Sequence, residues 1–214
     1  MRYYPIFANL ENRIVAVVGG GEVAERKILS LINCGANVVV ISPEVTPVIA
    51  GLVRARQIHH LSRCFRTGDL EGASLVIAAT SDSGVNRQVA REAGNLSLFV
   101  NDAQSPENST FIVPSVVSKK DLQIAISTSG QSPALARRIR LKLERDFGPE
   151  FDRFIDILSQ VRRQLHKLSV PEESRASILN RLAESDILDL LGNNRMEEVL
   201  ERVKELSPLT PVKI

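Results

Sequence analysis

The chain has little of what builds disulfide frameworks, metal centres or membrane spans. Its 214 residues include no Trp, two Cys and three His, and aromatic residues make up 4%. Two isolated cysteines form neither a disulfide framework nor a zinc-ligand motif. No run approaches the roughly 18 apolar residues of a membrane-spanning helix, and the N-terminus has no secretory signal pattern. We therefore expect a cytoplasmic protein without a permanent metal site or a membrane partner.

The charge balance is also nearly neutral. The chain carries 27 Lys and Arg against 25 Asp and Glu, a formal net charge of +2. This excess is too small to indicate a nucleic-acid-binding protein, and we expect no nucleic-acid partner. Hydrophobic residues make up 43% and charged residues 24%, as in ordinary globular domains.

The most informative segment is a run of three glycines between an apolar stretch and a helical pattern. Ile14–Val18 leads directly into Gly19-Gly20-Gly21, and Ala24 follows three residues later. The spacing G-x-G-x-x-A, after a strand and before a helix, is typical of a dinucleotide-binding turn. Backbone N–H groups at the helix N-terminus then face the pyrophosphate. The alternative is a glycine turn that serves packing alone.

Residues 13 to about 100 alternate short apolar runs with 3.6-residue periodicity. The predicted strands are Ile14–Val18, Val38–Ile41, Gln57–Leu61, Leu75–Ala79 and Leu98–Val100, and the predicted helices are 22–34, 45–55 and 83–94. Such alternation predicts an α/β fold, a Rossmann-like doubly wound parallel sheet.

The pattern changes after residue 104. Two strand-like runs, Phe111–Ser118 and Leu122–Ser127, predict an antiparallel hairpin, and Ser132-Pro133 starts a helix that ends near Gly148. Only helices are predicted beyond it, and the segment from Ser207 is expected to be loosely ordered. We thus expect an NAD-binding Rossmann domain (1–112), a small α+β dimerisation and substrate section (113–148) and a C-terminal helical domain (149–214).

Several residues at the predicted carboxyl edge of the sheet are candidates for cofactor contacts. Gly19 and Gly21 form the turn, and the second strand ends at Ser42-Pro43-Glu44. Either Glu44 or Ser42 would meet the ribose, with Pro43 packing on the adenine. No arginine immediately follows this strand, which favours NAD over NADP. Thr80 ends the fourth strand and is expected near the cofactor.

Asp102 follows the fifth strand at the same edge. A carboxylate there can act as a general acid or base. The alternative is that Asp102 caps the loop that follows, as Asp often does. The three histidines are poor candidates for this chemistry, because none lies in a partner motif.

A cationic helix follows the hydroxyl-rich loop Ser127–Ser132. Its cations are Arg137, Arg138, Arg140, Lys142 and Arg145. One interpretation is a solvated helix face. The other is a groove for a substrate rich in carboxylates, where several cations together select a polyanion.

Six motifs in this order resemble the precorrin-2 dehydrogenase family, which includes the N-terminal module of bacterial siroheme synthase. They are Tyr4-Pro-Ile-Phe-Ala-Asn-Leu, Val18-Gly-Gly-Gly-Glu-Val-Ala-Glu-Arg-Lys, Ala78-Ala-Thr-Ser-Asp-Ser-Gly-Val-Asn, Val100-Asn-Asp-Ala, Phe111-Ile-Val-Pro-Ser and Ser127-Thr-Ser-Gly-Gln-Ser-Pro-Ala-Leu-Ala-Arg. The resemblance covers residues 1 to about 148, and the helical tail only in general character.

The resemblance implies NAD-dependent oxidation of precorrin-2 to sirohydrochlorin in siroheme biosynthesis. In some members iron insertion (ferrochelatase activity, with Fe²⁺ as a substrate) follows. It also implies a homodimer formed through the central section. By the same resemblance, Glu22, Val23, Pro43 and Glu44 contact NAD, and Asp102 is the acid or base.

A tetrapyrrole with eight carboxylates as substrate would account for the cationic helix. We therefore expect Thr128, Ser129, Gly130, Arg137 and Arg138 to bind substrate. Thr128 stands where siroheme synthase has a serine known there as a phosphorylation site, so that regulation is not carried over. Two alternatives stay open: an enzyme of this fold with another substrate, and a non-enzymatic NAD-sensing module.

Overall fold

The structure, a computed structural model, describes residues 3–207. It divides the chain into two compact units, one up to Val113 and one from Pro114 onward. The predicted division into 1–112, 113–148 and 149–214 stays a prediction. Of the predicted loose C-terminal segment only Ser207 is described, and the rest lies outside the described residues. Among the described helices, none is long and apolar enough to cross a membrane.

The first unit is built on a five-stranded parallel sheet. Its strands are β1 (Ile14–Val18), β2 (Asn37–Ile41), β3 (His59–Leu61), β4 (Leu75–Ala78) and β5 (Phe99–Asp102). They lie in the order β3-β2-β1-β4-β5, so the direction of winding reverses beside β1. This is the predicted Rossmann-like doubly wound sheet. Ligands of such sheets bind beyond the carboxyl ends of the strands, at the point of reversal.

Three helices cover the two faces of this sheet: α1 (Glu22–Asn33), α2 (Pro47–Arg54) and α3 (Ser83–Asn95). Helices α1 and α2 bury Ala24, Ile28 and Ile49 against one face. Helix α3 buries Val89 and Ala93 against the other. The predicted bounds of all three are correct to within about two residues.

The second unit begins with a hairpin and a helix. Strands β6 (Ser115–Lys119) and β7 (Leu122–Ile126) pair antiparallel, with Lys119 opposite Leu122. Lys120 and Asp121 therefore form a two-residue turn, and Lys120 adopts the left-handed conformation with φ 45°. Helix α4 (Pro133–Asp146) follows, and the Ser132 side chain accepts a hydrogen bond from the Leu135 N–H, as predicted for an N-cap.

The predicted first strand of the hairpin, Phe111–Ser118, is wrong in its N-terminal half. Residues 111–114 are not in a strand, and β6 begins at Ser115. Phe111 instead packs edge-on against Phe99, and its carbonyl accepts a hydrogen bond from the Asn101 side chain. Pro114 has no N–H for a strand ladder. An apolar run can thus be covered by side-chain packing instead of strand pairing.

Up to Ser207, where the described residues end, four further helices follow in the second unit: α5 (Pro149–Lys167), α6 (Glu172–Ala183), α7 (Ile187–Gly192) and α8 (Met196–Leu206). One stripe of α5, at Phe154, Ile157, Val161 and Leu165, is buried against apolar residues of the other three helices. The spacing of three and four residues is that of an amphipathic helix, as the sequence predicts.

Candidate functional site

The glycine turn lies at the carboxyl end of β1, and its three glycines have different surroundings. Gly19 has φ 123°, and a Cβ there would lie 2.4 Å from the Ala79 carbonyl oxygen. A Cβ on Gly20 would lie 2.1 Å from the Glu44 carbonyl oxygen. By contrast, no described atom lies within 4 Å of a Cβ built on Gly21. The turn is therefore closed toward the protein at Gly19 and Gly20 and open at Gly21.

Helix α1 starts on this open side. Gly21 is its N-cap residue, and no side chain caps the first turn. Glu22 and Val23 are exposed, as is Gly21. An uncapped helix N-terminus beside a glycine without steric neighbours fits the pyrophosphate of a dinucleotide, because its N–H groups can donate to an anion there.

The loop after β2 is held in place by hydrogen bonds from three sides. The Ser42 hydroxyl donates to the Glu44 carbonyl oxygen at 2.7 Å. Nε2 of His60 donates to the Ser42 carbonyl oxygen at 2.9 Å. The Thr46 N–H donates to the Gly20 carbonyl oxygen at 3.0 Å. This loop is therefore fixed relative to the glycine turn before any ligand binds.

The predicted residues of this loop differ in what they offer a ligand. Ser42 is 8% exposed and its hydroxyl is engaged within the loop, which does not favour a ribose contact. Pro43 and Glu44 are exposed. His60 supports this loop through its bond to Ser42. It lies on β3, 18 residues away in sequence, so no local pattern predicts the contact. The side chains that the loop presents to solvent are thus Pro43 and Glu44.

Thr80 lies two residues after β4, beside the glycine turn, and its polar groups are hydrogen-bonded to neighbouring residues. Its hydroxyl donates to Oδ1 of Asn86 at 2.8 Å, and its N–H donates to the same atom at 3.1 Å. The Asn86 amide in turn donates to the Thr80 carbonyl oxygen at 3.2 Å. Asn86 is fully buried on α3. Because Ala79 and Thr80 line Gly19, Asn86 fixes one wall of the turn.

Sequence reasoning missed Asn86, although a signal was present. Asn86, Val89 and Ala93 share the buried stripe of α3. A polar residue in an apolar stripe needs hydrogen-bond partners, since burial without them costs free energy. An Asn in the buried stripe of a helix thus indicates a side chain that hydrogen-bonds to a neighbouring loop.

Asp102 is the last residue of β5 and lies beside Ala78 of β4. It is 3% exposed. Oδ1 accepts hydrogen bonds from the N–H groups of Gln104 at 2.9 Å and Ser105 at 3.1 Å. Oδ2 accepts one from the Asn108 side chain at 2.9 Å. The carboxylate therefore lies at the edge predicted for it and also caps the following loop.

The Asp102 loop and the Thr80 loop are connected by Gln104. Its side-chain amide donates to the Thr80 carbonyl oxygen at 3.0 Å, and the Ala103 N–H donates to the Ala78 carbonyl oxygen at 2.9 Å. The carboxyl ends of β4 and β5 consequently form one hydrogen-bonded edge that runs from the glycine turn to Asp102.

The predicted substrate residues lie in the second unit. Thr128 accepts a hydrogen bond from the Ser132 N–H at 3.0 Å. Ser129 and Gly130 both have positive φ, 52° and 82°. This backbone conformation forms a tight turn immediately before α4.

The cations of α4 are not equivalent. Arg140 pairs with Glu144, and Nε of Arg145 donates to the Leu141 carbonyl oxygen at 3.2 Å. Arg137 and Arg138, nearest the turn, are exposed. Lys142 is exposed too but lies farther along the helix, so Arg137 and Arg138 are the exposed cations next to the turn.

Models of two protein families match the chain in succession. Residues 6–115 match the family described as putative NAD(P)-binding. Residues 119–146 match the central part of sirohaem biosynthesis proteins. The first match spans the Rossmann unit and the second spans most of the hairpin and α4. The chain is thus a nicotinamide-dinucleotide-binding protein of the Rossmann type.

Curated relatives and a solved structure narrow this class. Siroheme synthase of Methylobacillus flagellatus is 46% identical over 144 residues, 67% of this chain and 31% of the relative. Siroheme synthase of Thioalkalivibrio sulfidiphilus is 35% identical over 209 residues, 96% of this chain and 42% of the relative. The structure of SirC, a precorrin-2 dehydrogenase, superposes with a TM-score of 0.79 at 27% identity, covering 95% of this chain and all of SirC.

The chain belongs to the putative NAD(P)-binding family, and the segment that follows it matches the central part of sirohaem biosynthesis proteins. It spans 31–42% of the length of these two siroheme synthases and the whole length of SirC.

Proposed function

We propose that this protein catalyses the NAD-dependent oxidation of precorrin-2 to sirohydrochlorin. The observation that carries the proposal is the hydrogen-bonded sheet edge that joins an open dinucleotide turn to the buried carboxylate of Asp102. The likeness to SirC, over nearly all of both chains, supports the substrate. The names of the siroheme synthase relatives support the same pathway.

The glycine turn and the loop after β2 would hold the cofactor. The N–H groups beginning at Gly21 donate to the pyrophosphate, next to Glu22 and Val23. Glu44 accepts from the adenosine ribose and Pro43 packs on the adenine, while Thr80 borders the turn from the other side. NAD⁺ supplies the hydride acceptor when it is bound. An exposed carboxylate at Glu44 disfavours the extra phosphate of NADP, which supports NAD as the cofactor.

Asp102 serves as the acid or base in this proposal. Its Oδ2 atom has one hydrogen bond, from Asn108, and an ionised carboxylate oxygen has room for a second donor. Oxidation removes protons from the macrocycle as well as hydride, and a fixed carboxylate next to it would accept a proton. The two backbone N–H bonds to Oδ1 keep the carboxylate in one orientation while it does so.

Substrate carboxylates would be bound by the turn and helix of the second unit. The Thr128, Ser129 and Gly130 turn presents polar backbone groups, and Arg137 and Arg138 supply charge. Arginine suits this task, because its planar guanidinium binds a carboxylate through two parallel hydrogen bonds.

A homodimer, built through the hairpin and α4, is the assembly we propose. Val116, Leu135 and Leu141 are 39–47% exposed there. Exposed apolar side chains on both the hairpin and α4 favour burial against a partner. The molar mass in solution, measured by light scattering, tests this: one chain per particle at micromolar concentration contradicts it.

Iron insertion and the cytoplasmic location stay predictions from sequence. Within residues 3–207, no group of three or more His, Cys, Asp and Glu is placed to hold a metal ion. Adding Fe²⁺ to the protein with sirohydrochlorin, against a protein-free control, tests chelation. The non-enzymatic NAD-sensing module is not retained, since the named relatives above are enzymes.

The decisive experiment follows NADH formation with precorrin-2 and NAD⁺ in the wild type and in Asp102→Asn. Asparagine removes the charge and keeps an oxygen for the N–H groups of Gln104 and Ser105; its NH2 group then faces Asn108, whose side-chain amide must turn over to accept from it. We expect turnover to fall by about 10²-fold or more, as for loss of a general acid or base. Glu107→Gln, in the same loop and exposed, serves as the matched control.

Unchanged turnover in Asp102→Asn rejects the catalytic role and leaves the loop-capping role alone. No NADH formation by the wild type rejects the proposed reaction itself. For the second unit, Arg137→Ala with Arg138→Ala should raise the KM for precorrin-2 and leave the Kd for NADH unchanged. Arg145→Ala, on the same helix, is the control.

A further inference from the structure

The first turn of α1 and the start of α2 are joined by one short hydrogen bond. The Thr46 hydroxyl donates to Oε2 of Glu25 at 2.6 Å, across 21 residues of sequence. A hydrogen bond to an ionised carboxylate is shorter and stronger than one between neutral groups. Glu25 is half-buried, so solvent competes less for this bond than at an exposed site.

Thr46 has three simultaneous roles at this point. Its N–H donates to the Gly20 carbonyl oxygen at 3.0 Å. Its hydroxyl oxygen accepts the Ile49 N–H at 3.2 Å and so caps α2. The same hydroxyl donates its proton to Glu25. Residue 46 therefore connects the glycine turn, the N-terminus of α2 and the first turn of α1.

The loop that this residue anchors is the one that carries Pro43 and Glu44. This loop also packs against Gly20. The Glu44 carbonyl oxygen lies so close to Gly20 that a side chain would not fit there. A cavity of about 450 Å³, lined by Glu22, Glu25, Arg26, Thr46 and Pro47, lies along the junction of the two helices. The Thr46–Glu25 bond crosses this junction and connects α1 to the loop that leads into α2.

We infer that Glu25 and Thr46 are a positioning pair for the dinucleotide. The pair does not touch the cofactor's reacting atoms. It holds the loop of Pro43 and Glu44 at the distance from the phosphate turn that one dinucleotide spans. The inference rests on the dinucleotide site proposed above. It adds Glu25 and Thr46, which are not proposed to contact the cofactor.

The electrostatics of Glu25 allow a sharp test. A carboxylate in the first turn of α1 repels the pyrophosphate, so a purely electrostatic role predicts tighter dinucleotide binding when Glu25 is neutralised. A positioning role predicts weaker dinucleotide binding when residue 25 cannot accept the hydrogen bond from Thr46. Glu25→Gln removes the charge and keeps an acceptor oxygen, whereas Glu25→Ala removes both.

The experiment is a fluorescence titration of NADH on the full chain. We expect Glu25→Ala and Thr46→Val to bind NADH about tenfold more weakly, since affinity falls with the fraction of molecules whose loop is in place. Glu25→Gln and Thr46→Ser should stay within about twofold of the wild type, because both retain the bond. The double variant Glu25→Ala with Thr46→Val should be no weaker than the weaker single variant.

Turnover at saturating NAD⁺ should be unchanged in these variants while the KM for NAD⁺ rises. Glu71→Ala, an exposed loop substitution, is the control. Wild-type affinity in Glu25→Ala, with or without a lower Tm, overturns the inference and leaves the cofactor site standing. Absence of NADH binding by the wild type overturns the cofactor site and the inference together. If Glu25→Ala does not fold, the comparison of Glu25→Met, which keeps the length of the side chain but has no acceptor oxygen, with Glu25→Gln decides.

Discussion

Gly20 and Glu44 lie so close together that residue 20 has no room for a side chain. A Cβ on Gly20 would lie 2.1 Å from the Glu44 carbonyl oxygen and 2.9 Å from the Ser42 hydroxyl oxygen. Both neighbours belong to the loop after β2, which further hydrogen bonds hold in place. The G-x-G-x-x-A spacing leaves the second of the three glycines unspecified. That residue, Gly20, nevertheless sets the distance between the glycine turn and the loop after β2.

Gly20→Ala should consequently damage both folding and cofactor binding. The new methyl group forces the Glu44 backbone away, and we expect a lower Tm together with loss of NADH binding. Thermal unfolding and an NADH titration measure the two effects separately. A Gly20→Ala variant with wild-type Tm would show that the loop moves freely, contrary to its hydrogen bonds.

Gly21→Ala is the matched comparison, and it should separate the two effects. Gly21 has φ −83° and an unobstructed Cβ position, so alanine fits the fold and the Tm should not change. The methyl group would nevertheless stand on the open side of the turn, where the pyrophosphate is proposed to bind. We expect NADH affinity to fall about tenfold or more. Unchanged affinity would place the pyrophosphate elsewhere.

Much of the fold could be predicted from sequence, because the decisive signals are local. The apolar runs of β1 and β4 and the stripes of α1 and α5 follow from residue periodicity. Phe111–Pro114 could not, since an apolar run covered by Phe99 has the same sequence signature as a strand. Local patterns do not report which element covers an apolar side chain.

The candidate site, too, could be predicted from sequence only in part. The carboxyl edge of the sheet, with the glycine turn and Asp102, follows from strand order. The contacts that fix its loops join residues far apart in sequence: His60 to Ser42 across 18 residues and Thr46 to Glu25 across 21. Such pairs depend on which loops the fold brings side by side, and no short-range pattern encodes them.

Asn86→Ala should destabilise the first unit. It removes the three hydrogen bonds that Thr80 makes with a fully buried side chain and leaves the Thr80 N–H without its acceptor. An unsatisfied buried group costs about 1–3 kcal/mol, and we expect the free energy of unfolding to fall by that amount. Urea unfolding measures it. Gln88→Ala, exposed on the same helix, is the control, and equal stability of the two variants would contradict the role of Asn86.

The pair Arg63 and Asp69 should make stability depend on pH in the acid range. Two hydrogen bonds from the Arg63 guanidinium, at 2.7 Å each, lower the pKa of the Asp69 carboxyl below its usual value. A carboxyl whose pKa is lower in the folded state stabilises the fold above its unfolded pKa, and this contribution disappears as pH falls through the folded pKa.

Asp69→Asn should therefore have a lower Tm than the wild type at neutral pH, and the difference should shrink once the pH falls below about 4, the ordinary pKa of an Asp. Thermal unfolding at a series of pH values measures the gap. A gap that stays constant down to the acid limit would mean that the charge of Asp69 contributes nothing.

Glu44→Arg should change which dinucleotide the protein prefers. Glu44 is exposed at the end of the loop after β2, where the ribose is proposed to lie, and a carboxylate there repels a 2′-phosphate. Arg63, the cation of the neighbouring loop, is engaged by Asp69 and does not offset this repulsion. An arginine at position 44 reverses the sign of the charge and offers a bidentate partner for phosphate.

We expect the ratio of NADPH to NADH affinity to rise about tenfold or more, mainly through tighter NADPH binding, as measured by fluorescence titration of both. Glu71→Arg adds the same charge at a remote exposed loop and controls for net charge. A ratio that moves equally in both variants would mean that Glu44 does not face the ribose, and that the preference for NAD has another origin.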